Sequence, residues 1–387
     1  MHRVPMGSGS PDISRPARVP TNPNAGTTTA PAAPATATPA APAAPRPAVA
    51  QDTFRRLSTD VAAGKMPEKD AAVLAEQAAR PGVIGEAQAI RAARVAQALP
   101  PDQRAQFQQA VDGAATDTQK AFIYKALSAG HPVSEVVDFA GQIRGLSDQA
   151  LLKDYTLSGP LGKETPGLEQ QFSTSCVPSV AETIRGDADP IYAKNVRAQN
   201  DDVHLNAPDV KNDPLRKAEK QLLEGTGGGK AVPFRPNGTT AAGAQPTQPK
   251  KVDDVLNSVS QFTGVHYHQA ELGKDDAGRG SDGQVKLFDQ MASQLEQGIP
   301  TPIQVRTPDR TRAHEALAIA VQGTGDEQKF LVHDPDSGDT AWLTRKHLMY
   351  GAPAFPDWVG SKYGLSGVAV AQEQLPPPAG ATEVAAR

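Results

Sequence analysis

The sequence contains one cysteine, few aromatic residues and no long apolar run. Its 387 residues include a single Cys, and Phe, Trp and Tyr together make up 5% of the chain. One cysteine excludes an intramolecular disulfide, so folding does not depend on an oxidising compartment, and it excludes a zinc site made of several thiolates. No segment approaches the roughly 20 apolar residues that a membrane span needs. A lone cysteine in such a chain is either a small core residue or a reactive thiol.

Charge of one sign is not in excess either. The 39 Lys and Arg residues are balanced by 43 Asp and Glu residues, which gives a net charge of -4. This balance argues against a surface for nucleic acid or for membranes. His266 and His268 form half of a metal site at most, so we interpret them as a surface pair and expect no metal and no cofactor. Met1–Ser10 lacks the apolar run of a standard signal peptide, and we expect a cytoplasmic protein or one exported without such a signal.

The first part of the chain divides into a tail and a helical domain. Residues 1–50 are of low complexity, and Thr27–Ala50 consists almost entirely of Ala, Pro and Thr, which predicts a disordered tail. Residues 51–155 have apolar side chains at intervals of three and four, with Gly and Pro between the segments, and this pattern predicts a small all-α domain. The predicted helices cover residues 52–63, 67–79, 84–98, 101–113, 116–129, 132–143 and 146–154. We expect this domain to serve folding or the docking of a partner.

The second part combines helices with strands. A short helix is predicted near Cys176, and further helices are predicted at 214–224, 252–263 and 284–297. Strands are then predicted at Thr301–Arg306, Glu315–Gln322, Lys329–His333 and Thr340–Leu343. Helices followed by antiparallel strands indicate an α+β domain, to which we assign residues 156–371. Residues 372–387 are rich in Pro and Ala, and we predict a second disordered tail there.

Cys176 lies where a helix can begin. Ser173, Thr174 and Ser175 are possible caps, and Pro178 suits a first helical turn. A thiol at this end of a helix lies near the positive pole of the helix dipole, which favours the reactive thiolate. The position therefore favours the interpretation of Cys176 as a nucleophile over that of a core residue.

Two glutamines precede the cysteine. Gln170 lies six residues upstream of Cys176, and Gln171 is next to it. Attack on an acyl carbon produces an oxyanion, which the side-chain amide of a glutamine can stabilise together with the backbone N–H of the cysteine. We expect Gln170 to have this role, and Gln171 takes it if the register of the loop is shifted by one residue.

A histidine and an aspartate occupy the ends of two predicted strands. His314 begins an apolar strand, where a ring has a fixed backbone position and an exposed edge, as a general base requires. The alternative is an ordinary histidine at a strand end. Asp334 follows Lys329–His333 and can accept the second N–H of the imidazole. The alternative for Asp334-Pro335-Asp336-Ser337-Gly338 is a simple hairpin turn.

The order of these residues resembles that of the papain-like cysteine peptidases. It is most similar to that of the leader-peptide-cleaving peptidase domains of bacterial exporters and their free-standing relatives. The resemblance implies that Gln170 supplies part of the oxyanion hole and that Cys176 attacks the substrate. It further implies that His314 is the base and that Asp334, followed by Pro as in the family, orients this base. Residues 298–305 also look like the family's strand before the histidine, and the resemblance covers roughly residues 165–350.

Two features depart from the family pattern. Val177 follows the cysteine where the family commonly has glycine, and an insertion at about 187–283 separates the cysteine helix from the histidine strand. The resemblance implies a papain-like α+β domain with an N-terminal cysteine helix and a C-terminal antiparallel sheet. It implies a cysteine peptidase that acts on a peptide or protein substrate. The same residues also serve transglutaminase-like acyltransferases and deamidases, and an inactive interaction protein on the same fold is a further alternative.

Overall fold

A computed structural model describes the helical region and most of the α+β region. The described residues are 67–78, 83–159, 167–198, 213–227, 251–272, 280–306, 313–350 and 364–374, together with Leu57, Arg80, Lys230, Ala231 and Thr247. The predicted tail 1–50, the chain after residue 374 and the predicted helix 52–63, apart from Leu57, lie outside the described residues.

The described residues before Tyr155 form a succession of helices. They are Glu68–Ala78 (α1), Glu86–Ala98 (α2), Pro101–Asp112 (α3), Asp117–Ser128 (α4), Val133–Ile143 (α5) and Asp148–Asp154 (α6). Two of them begin at a side-chain cap, since Thr116 accepts the N–H of Gln119 at 3.1 Å and Ser147 accepts that of Ala150 at 3.2 Å. These local signals explain why the helix bounds lie close to those predicted from the sequence.

One apolar cluster is shared by these helices. Phe107 and Tyr124 meet edge to face with 5.1 Å between ring centroids, and Phe139 and Tyr155 do so at 5.6 Å. Many of the remaining members are alanines, which let neighbouring helices approach closely. Leu57 is fully buried in the same cluster.

The helical region packs directly against the region that follows it. The backbone N–H of Glu86 in α2 donates to the carbonyl of Gln297 at 2.9 Å, and Gln88 Nε2 donates to the carbonyl of Ala188 at 2.5 Å. The predicted boundary at residue 155 thus separates two segments that contact each other. Docking of a partner through residues 51–155 stays a prediction.

The second region contains further helices. They are Cys176–Ala188 (α7), Pro190–Ala198 (α8), Asp213–Gly225 (α9), Val252–Asn257 (α10), Ser260–Thr263 (α11), Asp282–Glu296 (α12) and Arg345–Tyr350 (α13). The prediction of one continuous helix over 252–263 is wrong. The side chain of Asn257 accepts the N–H of Tyr267 at 2.7 Å and donates to its carbonyl at 2.8 Å, which ties the end of α10 to the neighbouring strand.

An antiparallel sheet whose strands are not arranged in chain order completes the region. Its strands are Val265–Glu271 (β1), Thr301–Arg306 (β2), Ala313–Gln322 (β3), Lys329–His333 (β4), Thr340–Thr344 (β5) and Gly364–Gln374 (β6). They are arranged in the order β1-β6-β2-β3-β4-β5, and every neighbouring pair is antiparallel. The α+β class is confirmed. The four predicted strands are β2 to β5. The strands β1 and β6 were not among the predicted ones, and β6 extends past the predicted boundary at residue 371.

Helices cover both faces of this sheet. In β3, Ala316 and Ala318 belong to an apolar cluster with α12, whereas Leu317 and Ile319 belong to another cluster with α7 and α10. Because successive residues of a strand point to opposite faces, α12 lies on one face and α7 lies with α10 on the other. The helix that begins with Cys176 is therefore packed on the sheet that carries His314. No helix among the described residues is long and apolar enough to cross a membrane.

Candidate active site

Cys176 is the first residue of α7. The carbonyl of Ser175, the residue before the helix, accepts the N–H of Ser179 at 2.8 Å. Val180 and Ile184 are fully buried in the cluster that joins α7 to the sheet, and the burial of each stabilises this packing by about 1.5–3 kcal/mol. The thiol is half-buried. It is therefore held at the positive end of a firmly packed helix and remains accessible.

His314 is the second residue of β3 and pairs with Val305 of β2. Its Nε2 lies 2.8 Å from Asp334 Oδ1, and the side chain also forms a hydrogen bond with Cys176. Since Nε2 faces the carboxylate, Nδ1 is the ring nitrogen that remains for the thiol. The structure thus brings together three of the side chains that the sequence singled out.

The charge of Asp334 decides the protonation of His314. Burial by itself lowers the pKa of the ring, but the charge and hydrogen bond of Asp334, together with the hydrogen bond to Cys176, raise the pKa of His314 well above its ordinary value. The His314 side chain is 14% exposed and that of Asp334 is 0% exposed, so solvent screens the pair weakly. The ring is consequently an imidazolium at neutral pH. A cationic ring beside a thiol is the arrangement that favours a thiolate nucleophile.

Asp334 belongs to a tight turn between β4 and β5. Its Oδ1 accepts the N–H of Asp336 at 3.0 Å, and its Oδ2 accepts the hydroxyl of Ser337 at 3.3 Å. Its backbone is held as well, because its N–H donates to the carbonyl of Asp339 at 2.9 Å and its carbonyl accepts the N–H of Gly338 at 2.8 Å. The sequence allowed two interpretations of Asp334, a residue of a hairpin turn or a carboxylate beside the histidine. In the structure Asp334 is both.

Gln170 lies beside this turn. Its N–H donates to the carbonyl of Pro335 at 2.7 Å, and the N–H of Gly167 donates to the carbonyl of Gly338 at 2.7 Å. Gln170 is 4% exposed, and its Oε1 has no hydrogen-bond partner among the described residues. A carboxamide whose oxygen has no fixed partner can rotate to present its N–H to a developing oxyanion.

Gln171, the alternative to Gln170, is engaged elsewhere. Its Nε2 donates to the carbonyl of Glu169 at 2.9 Å, and its backbone N–H donates to Oε2 of Glu219 at 2.8 Å. Turning the Gln171 side chain toward the thiol would break the first of these bonds. The geometry therefore favours Gln170 as the glutamine that assists the reaction.

For the peptide hydrolysis that the resemblance implies, we expect Gln170→Ala to lower kcat by about 10²–10³-fold, the usual effect of losing one oxyanion donor. Gln171→Ala is the matched control and should change kcat only slightly, since its backbone N–H is retained. Steady-state kinetics of both variants on one peptide substrate provides the measurement. A larger loss in Gln171→Ala than in Gln170→Ala would reverse the assignment.

His333 supports the segment that carries Gln170 and is not part of the site. Its Nε2 lies 3.1 Å from the carbonyl oxygen of Leu168, and its Nδ1 lies 3.1 Å from Thr340 Oγ1. Burial lowers the pKa of His333, so this ring is neutral. A Cβ at Gly167 would lie 2.6 Å from His333 Cε1 and 2.5 Å from the carbonyl oxygen of Ser158. Only glycine permits this close approach of the segment to the sheet.

Glu219 is a residue at the site that sequence reasoning missed. It lies in α9, inside the predicted insertion, and its side chain is fully buried beneath the residues on either side of Cys176. Leu215 and Leu223, one turn before and one turn after it, are buried as well. A glutamate in the middle of an apolar stripe is a signal that the sequence contained. Whether this glutamate belongs to a site depends on which residues the apolar stripe contacts in the folded protein.

Within the part of the chain that the structure describes, no group of three or more His, Cys, Asp or Glu side chains is placed to hold a metal ion. His268 instead lies at the surface, with Nδ1 2.8 Å from Asp253 Oδ2.

No protein-family model and no curated protein matches this chain. The functional assignment therefore rests on the side chains gathered at the start of α7.

Proposed function

We propose that the chain is a cysteine peptidase with a papain-like fold. The observation that supports this most strongly is the linked set of Cys176, His314 and Asp334. A half-buried thiol at a helix N-terminus is hydrogen-bonded to an imidazolium, and a buried carboxylate 2.8 Å away holds that ring. The papain-like fold is supported by a cysteine helix packed on an antiparallel sheet that carries the histidine and the aspartate.

The reaction proceeds in two steps. The Cys176 thiolate attacks the carbonyl carbon of the peptide bond, and the backbone N–H of Cys176 and the amide of Gln170 stabilise the oxyanion. His314 donates its proton to the leaving amine, the C–N bond breaks and a thioester remains on the sulfur. Water then attacks the thioester while His314 takes up one of its protons. The carboxylic acid product leaves, and the thiolate–imidazolium pair is restored.

A peptide library tests this proposal. We expect the wild-type protein to generate new amino termini, detected by amine labelling and mass spectrometry, and we expect Cys176→Ala to generate none. Release of ammonia without new amino termini would identify a deamidase and would make the peptidase assignment wrong. Equal product yields from the wild type and Cys176→Ala would exclude the thiol as the nucleophile. The absence of any product would favour an interaction protein.

A further inference from the structure

Glu219 connects the predicted insertion to the cysteine. Its carboxylate group lies against two serines of the cysteine segment, since it accepts the hydroxyl of Ser179 and lies 3.1 Å from Ser175 Oγ. It also accepts the backbone N–H of Gln171 at 2.8 Å. These three contacts lie before and after Cys176 in the chain. One buried side chain from α9 therefore ties the glutamine loop to the first turn of α7.

The hydroxyl of Ser175 lies between the glutamine loop and Glu219. It accepts the N–H of Phe172 at 3.1 Å, and it has a single proton of its own. The carbonyl of Phe172, 2.9 Å from this hydroxyl, also accepts the backbone N–H of Ser175 at 3.3 Å. The serine hydroxyl can therefore donate to Oε2 of Glu219 at 3.1 Å, and every group has a partner.

The surroundings of Glu219 act on its protonation. Burial raises the pKa of Glu219 to about 8, although the hydrogen bonds from Ser179, Gln171 and Ser175 lower it. Glu182 of α7 is the charged group that acts on it, and this carboxylate raises the pKa of Glu219 further. Arg216, one turn earlier in α9, lies over the ring of Phe172 at 5.5 Å.

We propose that Glu219 is a positioning residue that holds the segment around Cys176 in its working geometry through its hydrogen bonds on both sides of the cysteine. This inference rests on the proposed function, because the geometry that Glu219 maintains is that of the nucleophile and of the oxyanion loop. Helix α9 thereby supports the proposed site.

Two substitutions test this positioning role. In Glu219→Gln an amide oxygen in place of Oε2 accepts from Gln171 and Ser175, and the amide nitrogen in place of Oε1 donates to Ser179. We expect this variant to react with iodoacetamide at Cys176 near pH 7 within about twofold of the wild type. Glu219→Ala removes all three bonds, and we expect its alkylation to be about 10–100-fold slower, the effect of a displacement of about 1 Å. Glu224→Gln changes a solvent-accessible glutamate of the same helix, paired with Lys220, and as the control it should match the wild type.

Two results of this comparison would overturn the proposal. If Glu219→Gln reacts as slowly as Glu219→Ala, the hydrogen bonds that the amide retains do not position the thiol. If folded Glu219→Ala reacts like the wild type, the residue positions nothing. Should wild-type Cys176 react no faster than free cysteine, the proposed peptidase function fails, and the role of Glu219 is then decided by the stability measurement that follows.

Thermal stability measured against pH is this independent readout. A carboxyl whose pKa is 4.5 when unfolded and about 8 when folded binds more protons in the folded state between these values. Wild-type stability should therefore fall between about pH 4.5 and 8 through this group and stay level above it. The melting temperature of Glu219→Gln minus that of the wild type should grow across this window. A constant difference would show that Glu219 is not protonated in the folded protein.

Discussion

His314→Ala is expected to reduce peptide hydrolysis about 10²–10⁴-fold, because the variant has no group that donates a proton to the leaving amine. It is also expected to slow the alkylation of Cys176 by iodoacetamide near neutral pH, since the imidazolium that favours the thiolate is lost. Carboxamidomethylation can be followed by mass spectrometry of the peptide that contains Cys176. In the folded wild-type protein this thiol should react faster than free cysteine.

His268→Ala provides the control for this experiment. His268 is 57% exposed and paired with Asp253, so its removal takes away an imidazole outside the proposed site. Both the alkylation rate and the hydrolysis rate should stay at the wild-type level. If Cys176 becomes reactive only on unfolding, or if His314→Ala alkylates as fast as the wild type, the catalytic assignment is wrong.

Asp334→Asn should reduce kcat about 10⁴-fold, as the same replacement does in the serine-protease triad. The amide oxygen of asparagine can still accept the N–H of Asp336, so the turn should persist. The negative charge is lost, however, and only the contact with Cys176 then opposes the lowering of the His314 pKa by burial. Hydrolysis measured against pH tests this, with Asp336→Asn as the control within the same turn. A loss of kcat of similar size in Asp336→Asn would indicate that the activity depends on the structure of the turn and not on the charge of Asp334.

The same substitution has a predicted effect on stability. The pKa of His314 is raised in the folded protein, so protonation of the ring stabilises the fold. This contribution is fully present below about pH 6.5, the ordinary value for histidine, and it is lost as the pH rises past the raised value. Asp334→Asn should therefore lower the melting temperature more at pH 6 than at strongly alkaline pH. A loss that is independent of pH would show that the His314–Asp334 pair does not depend on the charge of the ring.

Much of the fold and of the site could be predicted because the sequence features that indicate them act between residues close together in the chain. Two of the helices α1 to α6 begin at the side-chain caps Thr116 and Ser147, and a cap acts within one helical turn. The strands β2 to β5 follow one another in the chain and pair in that order. Cys176, at the start of a helix, and His314, at the end of a strand, were recognised from neighbouring residues alone.

The strand β6 could not be predicted from its own residues. Four of the eleven residues of Gly364–Gln374 are Gly or Ala, which are depleted in strands. It is nevertheless paired on both sides, with β1 and with β2, and Val368 and Ala369 are completely buried. The position between two strands that come earlier in the chain makes this segment a strand. Such pairing depends on residues far apart in sequence.

The sequence by itself determined where the thiol, the histidine and the aspartate stand in their elements, because capping, strand alternation and turn chemistry act over a few residues. Only the tertiary structure decided how these elements meet. It placed Asp334 at 2.8 Å from His314 and so set the charge of the ring, and it hydrogen-bonded the side chain of Gln171 to Glu169, which favours Gln170 for the proposed role. It also placed Glu219 beneath the cysteine helix. Burial and charge are properties of neighbours in space, and a sequence read along the chain does not contain them.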